Sequence, residues 1–415
     1  MFVRTRAIRE RVKIHLDGRE IDAERGEPIA ASILAAGERV LARSPKLHRP
    51  RAPACMRGDC EGCVARVDGV PNIATCMRDA FGGEEISAQN VLGSRRTDLL
   101  RVTDWFFARG IDHHHLLAGV PAAGSIMQTF ARQMAGIGRL PEAPVEPIPA
   151  KTEACDVLVV GAGLAGLACA AALASRDLDV RVVDEGPAPG GSARFSDTDH
   201  ARVTTLVEKL AGRDLHSRTT VAGVFDGEVL TVRASDDRIT LYKPRALVLA
   251  TGAHDGVLLV DGNDLPGVLG ARAVCLLASL GIEPSRGAVV VGAGPWAERT
   301  RALLGERVVA TVEEKEVRAI VGSSQVKAVE KRDGSRIPCG VVAVAASLAP
   351  AFELGVQAGA STVAIESGFA LRADEHGRIG DRVWAAGECA GLAFDPASLV
   401  RAGEVVASDV ASALS

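Results

Sequence analysis

The sequence has 415 residues, with 48 Lys and Arg against 52 Asp and Glu for a formal charge of −4, and is 47% hydrophobic and 24% charged. That mix excludes a disordered chain, which needs low hydrophobicity and high net charge. It also lacks the basic excess expected of a nucleic-acid-binding protein. No apolar run approaches the roughly 20 residues of a transmembrane span. Met1 to Lys13 is basic without the apolar core of a signal peptide, so a cytoplasmic protein is expected.

At about 150 residues per domain, the length predicts two or three domains. Val12 to Leu16 alternates like a strand, Asp17-Gly18 signals a hairpin turn, and Arg19 to Asp22 returns as a second strand. Pro28 suits a first helical turn, and Ile29 to Ala36 reads as a short apolar helix stopped by Gly37. Val64 to Val67 and Asn72 to Thr75 form a second candidate hairpin around Asp68-Gly69. Hairpin, helix and cysteine-bearing loop, in that order, predict a β-grasp ferredoxin-like domain over residues 1–98.

Residues 99–150 read as a helical connector and linker. Leu99 to Ala108 and Ile126 to Met134 look helical, and Leu140 to Pro149 holds four prolines. Trp105-Phe106-Phe107 is expected to pack in a core, with a subunit interface as the alternative. Asp112-His113-His114-His115 is read as a loop or interface, because three adjacent imidazoles cannot all face one ion.

Four of the nine cysteines follow the spacing Cys55-x4-Cys60-x2-Cys63-x12-Cys76. The first three match the plant-type spacing, in which four thiolates hold two irons, two per iron. Gly58 and Gly62 let the backbone bend round such a cluster. The alternative is a structural zinc site, for which Cys60 and Cys63 make one half without a matching second pair. Cys155, Cys169, Cys275, Cys339 and Cys389 are scattered and read as small buried hydrophobes.

From Asp156 the pattern becomes β-α-β. Val157 to Val160 is a continuous apolar strand that runs into Gly161-Ala162-Gly163-Leu164-Ala165-Gly166 and an Ala-rich helix. In that context the glycine spacing is a dinucleotide fingerprint, with the diphosphate set on the helix N-terminus. Asp184, after the strand Val180 to Val183, is placed to meet the ribose, with Glu185 beside it. Gly190-Gly191, Ala250-Thr251-Gly252 and Gly387-Glu388 add flavoprotein-like turns. A second unit, Val289 to Val291 followed by Gly292-x-Gly294-x-x-Ala297, carries bulky Trp296 and a short helix. It reads as an NAD-type lobe that either binds NAD(P) or is retained for structure. The expected fold class is therefore α/β: a [2Fe-2S] domain followed by a two-dinucleotide-binding-domain flavoprotein (Rossmann-like) fold. The expected boundaries are 151–265 for the first part of the FAD domain, 266–370 for the shortened second lobe and 371–415 for the closing part.

Several segments together resemble the alpha-type subunits of heteromeric amine and imino-acid oxidoreductases, which include opine oxidase, hydroxyproline dehydrogenase, hydrogen cyanide synthase and heterotetrameric sarcosine oxidase. They are Leu41 to Arg51, the four cysteines, Asp156 to Gly166, Asp184 to Gly191, Ala250 to His254 and Gly262 to Val268. The resemblance implies cluster ligation by Cys55, Cys60, Cys63 and Cys76. It also implies a dinucleotide site lined by Gly161, Gly163, Gly166, Asp184, Gly191, Thr251, Gly252, Gly387 and Glu388. It favours FAD there, with NAD or ATP as alternatives, and leaves room for an FMN shared with a partner subunit. The implied partner is a beta-type flavoprotein subunit that oxidises a small-molecule amine or imino acid. The chain departs from the pattern at Glu388, where Asp is more usual, and in its shortened second lobe.

The functional expectation is an electron-transferring subunit that takes part in C–N oxidation. The alternative is a stand-alone NAD(P)H:acceptor flavin/iron–sulfur oxidoreductase. No disulfide-reductase Cys pair or hydrolytic triad stands out, so the cofactors would carry the chemistry.

Overall fold

The computed structural model describes residues 1–45, 47–106, 146–195, 197–233 and 235–415. The Asp112 to His115 run, the expected helix Ile126 to Met134 and the first part of the expected linker lie outside the described residues. The chain divides into two compact units: Met1–Pro144 with Val257–Ala346, and Val145–Gly256 with Ser347–Ser415.

In the first unit a five-stranded sheet runs in the order Arg19–Glu24, Arg11–Leu16, Glu85–Ser87, Val64–Val67, Val70–Ala74. Both hairpins turn on Asp-Gly pairs with positive φ at each residue, 49° and 78° at Asp17-Gly18 and 50° and 80° at Asp68-Gly69. That is the turn whose twist matches paired strands. The helix Ile29–Ala35 lies against the strand Arg19–Glu24 and buries Ile29, Ile33 and Leu34. Each such side chain stabilises the fold by about 1.5–3 kcal/mol.

The same unit holds a parallel sheet in the order Val268–Gly270, Val341–Ala345, Ala288–Gly292, Val308–Val312, with helices Ala271–Ser279 and Pro295–Leu304. This is the expected second lobe, but it spans 257–346 rather than 266–370. Its start is earlier because Leu258, Val260 and Leu265 pack into its core. Its end is earlier because the hairpin Thr362–Ile365 with Gly368–Leu371 belongs to the other unit, where Leu371 joins a different core. The N-terminal strand Phe2–Arg4 pairs antiparallel with Ile282–Pro284 in a separate two-stranded sheet. The local pattern gives no sign of that pairing, because its partner lies some 280 residues away.

Leu99–Arg101 forms a 3-10 turn and Val102–Phe106 a helix. Trp105 is 79% exposed rather than in a core. Asp104 on the same helix pairs with Arg49 at 2.7 Å.

The second unit is built on a sheet in the order Asp214–His216, Val180–Val183, Lys151–Val160, Arg238–Leu249, Glu228–Arg233, Thr220–Phe225, with Val383–Ala385 parallel to Arg238–Leu249. The central strands are parallel and continuously apolar, with Val157, Leu158 and Val159 fully buried. The C-terminal helix Pro396–Leu414 starts with Pro at its first turn and Asp395 capping the Ser398 N–H. Its buried stripe is Leu399, Gly403, Val406, Ala407, Val410 and Ala411. It crosses the helix Leu164–Ala174 so closely that a Cβ at Gly403 would overlap the Ala165 carbonyl. None of the described helices is long and apolar enough to cross a membrane.

The fully buried Trp384 donates its indole N–H to Asp409 Oδ2 at 2.8 Å, and Arg378 binds the same oxygen at 2.7 Å. The Trp384 hydrogen bond and then the Arg378 guanidinium hold the Asp409 carboxyl below its usual range. A depressed carboxylate contributes stability above the ordinary Asp pKa of about 3.9, and that stability is lost as pH falls through the folded value. The thermal midpoint is therefore expected to drop below about pH 4. Asp409→Asn is expected to lower the midpoint at neutral pH and flatten its acid dependence, as read by differential scanning fluorimetry across pH.

Candidate functional site: an iron–sulfur loop and a dinucleotide cradle

The cysteine loop leaves the strand Pro50–Arg51 and returns into Val64–Val67. Met56 and Gly58 take positive φ, 54° and 87°, and coil the loop inward. Cys55, Cys63 and Cys76 are buried, and Cys60 is half-exposed. Cys55 Sγ lies 3.3 Å from Cys60 Sγ, and side-chain contacts continue from Cys55 to Cys76 and from Cys76 to Cys63. The hairpin delivers Cys76 because the Thr75 hydroxyl donates to the Cys63 carbonyl at 2.7 Å. The Arg57 N–H points at Cys55 Sγ at 3.4 Å.

Contacts with Cys60 and Cys76 hold the Cys55 thiol down, and contact with Cys76 lowers Cys63. Burial pushes Cys155 and Cys169 up to about 12 and Cys339 to about 11, so those thiols are poor ligands. No group of three or more His, Cys, Asp or Glu side chains among the described residues is arranged round a single ion. The four cysteines instead meet as a chain of pairs. Three buried thiols and one half-exposed thiol, with a backbone N–H aimed at sulfur, fit a two-iron cluster chemically.

In the second unit the expected nucleotide residues gather at the carboxyl ends of Lys151–Val160, Val180–Val183 and Arg238–Leu249. Gly161 has φ 103°, and a Cβ there would overlap the Ala250 carbonyl. Gly166 touches the turn itself, so its Cβ would overlap the Gly161 carbonyl. Gly163 caps the helix Leu164–Ala174, and a Cβ there would meet nothing within 4 Å. That open side, on free helix N–H groups, is where a diphosphate fits. Leu164 and Ala165 are buried and anchor the helix start.

Three more turns close round it. Gly190 donates its N–H to the Ala162 carbonyl at 2.7 Å, and a Cβ at Gly191 would lie 3.3 Å from Gly163 Cα. Ala250 donates to Val160 O at 2.7 Å. A Cβ at Gly252 would lie 3.8 Å from Glu388 Oε2, and one at Gly387 3.0 Å from Ala165 Cβ. The Thr251 hydroxyl instead donates to the Ala351 carbonyl at 2.7 Å. Asp184 sits at its expected strand end, but its oxygens accept the Ala162 N–H at 2.6 Å and the Gly186 N–H at 2.7 Å. Its carboxylate therefore holds the glycine loop shut, a role its place in the motif does not reveal. Glu185 is exposed beside it. His254 pairs with Glu353 at 3.4 Å across a short antiparallel bridge.

The second-lobe loop keeps its tight turn, with Gly292 at φ 109°. Trp296 is buried, and Arg299 stands 5.0 Å over its ring. Glu313, placed after the next strand where a ribose acid would stand, caps a 3-10 turn and pairs with Lys315 at 2.8 Å.

Two protein-family models match. A 2Fe-2S iron–sulfur cluster binding domain covers residues 9–91, and an NAD(P)-binding Rossmann-like domain covers 159–217. The alpha chain of sarcosine oxidase from Rhizobium meliloti (strain 1021) is 30% identical over 302 residues, which is 65% of this chain and 30% of that protein. An opine oxidase subunit of the same strain is 34% identical over 154 residues, 34% of each chain. The homologues of this chain are subunits of amine and opine oxidases. It spans about a third of the length of these curated relatives. The structure of L-proline dehydrogenase from P. horikoshii superposes with a TM-score of 0.76 at 20% identity, over 99% of this chain and 75% of that one, so the two share a fold. The chain is thus a 2Fe-2S domain joined to a Rossmann-like flavoprotein fold. The two matched domains support a [2Fe-2S] cluster and a bound dinucleotide.

Proposed function

We propose that this chain is the electron-transferring subunit of a heteromeric flavin-dependent oxidoreductase. A beta-type flavoprotein partner would oxidise the C–N bond of a secondary amine, imino acid or opine, and electrons would pass via flavin to the [2Fe-2S] cluster. The observation that supports this most directly is the pairing in one chain of four converging thiols with a glycine-built dinucleotide cradle. Bound flavin would supply two-electron chemistry and the cluster one-electron chemistry. The chain's own residues do the holding. Gly163 and the helix behind it receive the diphosphate, Asp184 keeps the loop closed, and Cys55, Cys60, Cys63 and Cys76 hold iron. The likeness to subunits of heteromeric oxidases is why the partner is assigned that step.

The test is dye-linked turnover with a panel of secondary amines, imino acids and opines. The chain alone is expected to be inactive, and the complex with its flavoprotein partner active. Substrate oxidation by the isolated chain would overturn the reading. The preserved turn at Gly292 favours the second reading, a stand-alone NAD(P)H:acceptor oxidoreductase. With Glu313 capping its own 3-10 turn and paired with Lys315, anaerobic NADH or NADPH is expected to leave the flavin absorbance unbleached. Bleaching within one turnover would favour the second reading instead.

A further inference from the structure

The segment 51–54 that leads into Cys55 is held at three points, and two of them come from the second lobe. Arg51 Nη1 lies 2.9 Å from Asp264 Oδ2. The Gly270 N–H donates to the Ala54 carbonyl at 2.9 Å. The third point is local: the Ala52 carbonyl fills the space where Gly62 would carry a Cβ. Asp264 stands on a turn fixed to the lobe itself. Ile320 N–H bonds the Asp261 carbonyl at 2.8 Å, Val326 N–H bonds the Pro266 carbonyl at 2.9 Å, and Leu265 and Val268 pack in the lobe core. Arg51, Asp264 and Cys60 line one cleft of about 210 Å³, so the ion pair stands at the half-exposed edge of the cysteine loop.

We propose that Asp264 is a positioning residue for the iron–sulfur loop, and that the nicotinamide-type lobe serves this chain as the mount of its cluster domain. The inference rests on the reading of the four cysteines as cluster ligands. The Arg51 and Asp264 side chains are 27% and 39% exposed. A pair that open adds little to folding stability. An effect on the cluster therefore acts through the loop and not through the global fold.

The experiment uses the full chain purified anaerobically with its cluster. A wild-type chain that holds no cluster would sink the ligand reading itself, before the mount is tested. With the cluster present, Asp264→Ala is expected to lose iron to a chelator roughly threefold faster than wild type, the scale of a half-exposed ion pair. Its reduced-state electron paramagnetic resonance signal should also broaden, while the thermal midpoint stays unchanged. Asp264→Asn, which keeps an acceptor at the same place, should fall between the two. The charge swap Arg51→Asp with Asp264→Arg should recover most of the retention. Equal loss rates and identical spectra for wild type and Asp264→Ala would overturn the proposal. So would a charge swap no better than Asp264→Ala.

Discussion

Replacing Cys63 with Ser is expected to strip the chain of its iron. Cys63 is fully buried, and its carbonyl is tied by the Thr75 hydroxyl to the strand that brings in Cys76. The other five cysteines are buried outside this loop. Cluster binding is also folding free energy, because the site does not exist in the unfolded chain. Iron per chain should fall at least about tenfold, and the thermal midpoint should fall with it. Cys155→Ser is the control. Cys155 is buried in the other unit with its thiol pushed up to about 12, and its loss should leave iron content unchanged. Equal iron in Cys63→Ser and wild type would remove Cys63 from the ligand set.

The second large effect separates two glycines of one motif. A Cβ at Gly166 would overlap the Gly161 carbonyl and lie 3.2 Å from Ala250 Cβ. Gly166→Val therefore forces helix and strand apart, at a cost of about 3 kcal/mol or more, and should lose both nucleotide and fold. Gly163 has φ −72°, and nothing lies within 4 Å of an added Cβ. Gly163→Ala should fold like wild type, yet its methyl occupies the approach path of the diphosphate. Nucleotide affinity is expected to fall more than about tenfold, a loss of over roughly 1.4 kcal/mol. Calorimetric titration of the apo chain with FAD, paired with its thermal midpoint, reads both effects. A Gly163→Ala chain that binds FAD as wild type does would place the diphosphate elsewhere.

Local signals carried most of the fold. Asp17-Gly18 and Asp68-Gly69 announced their hairpins because only a few residues tolerate the left-handed turn they make. Val157 to Val160 announced a buried parallel strand because its apolar run has no polar face. What stayed hidden was non-local. Phe2–Arg4 pairs with Ile282–Pro284, and Arg51 meets Asp264, through contacts over 200 residues apart that no periodicity encodes. The lobe boundary moved for the same reason, since Leu258 and Val260 show their allegiance only by what they pack against. In the cradle, the spacing of Gly161, Gly163 and Gly166 was enough to place the loop. The two backbone bonds that Asp184 accepts were not legible, because an acid after a strand looks the same whether it faces ribose or the loop itself. Trp105 is exposed, and a scarcity of aromatics does not decide which helix face is buried.

That one chain holds both a two-iron cluster and a flavin dinucleotide is tested most directly by its absorbance spectrum. The chain is purified anaerobically, its iron is counted, and the acid-released nucleotide is identified by mass. Flavin bands over a broad iron–sulfur absorption are predicted, with about two irons per chain and released FAD. Zinc in place of iron, or a colourless chain that releases no nucleotide, would contradict the paired cofactors. An iron–sulfur spectrum with only NAD or ATP released would contradict the flavin half, and would move the working flavin to another chain.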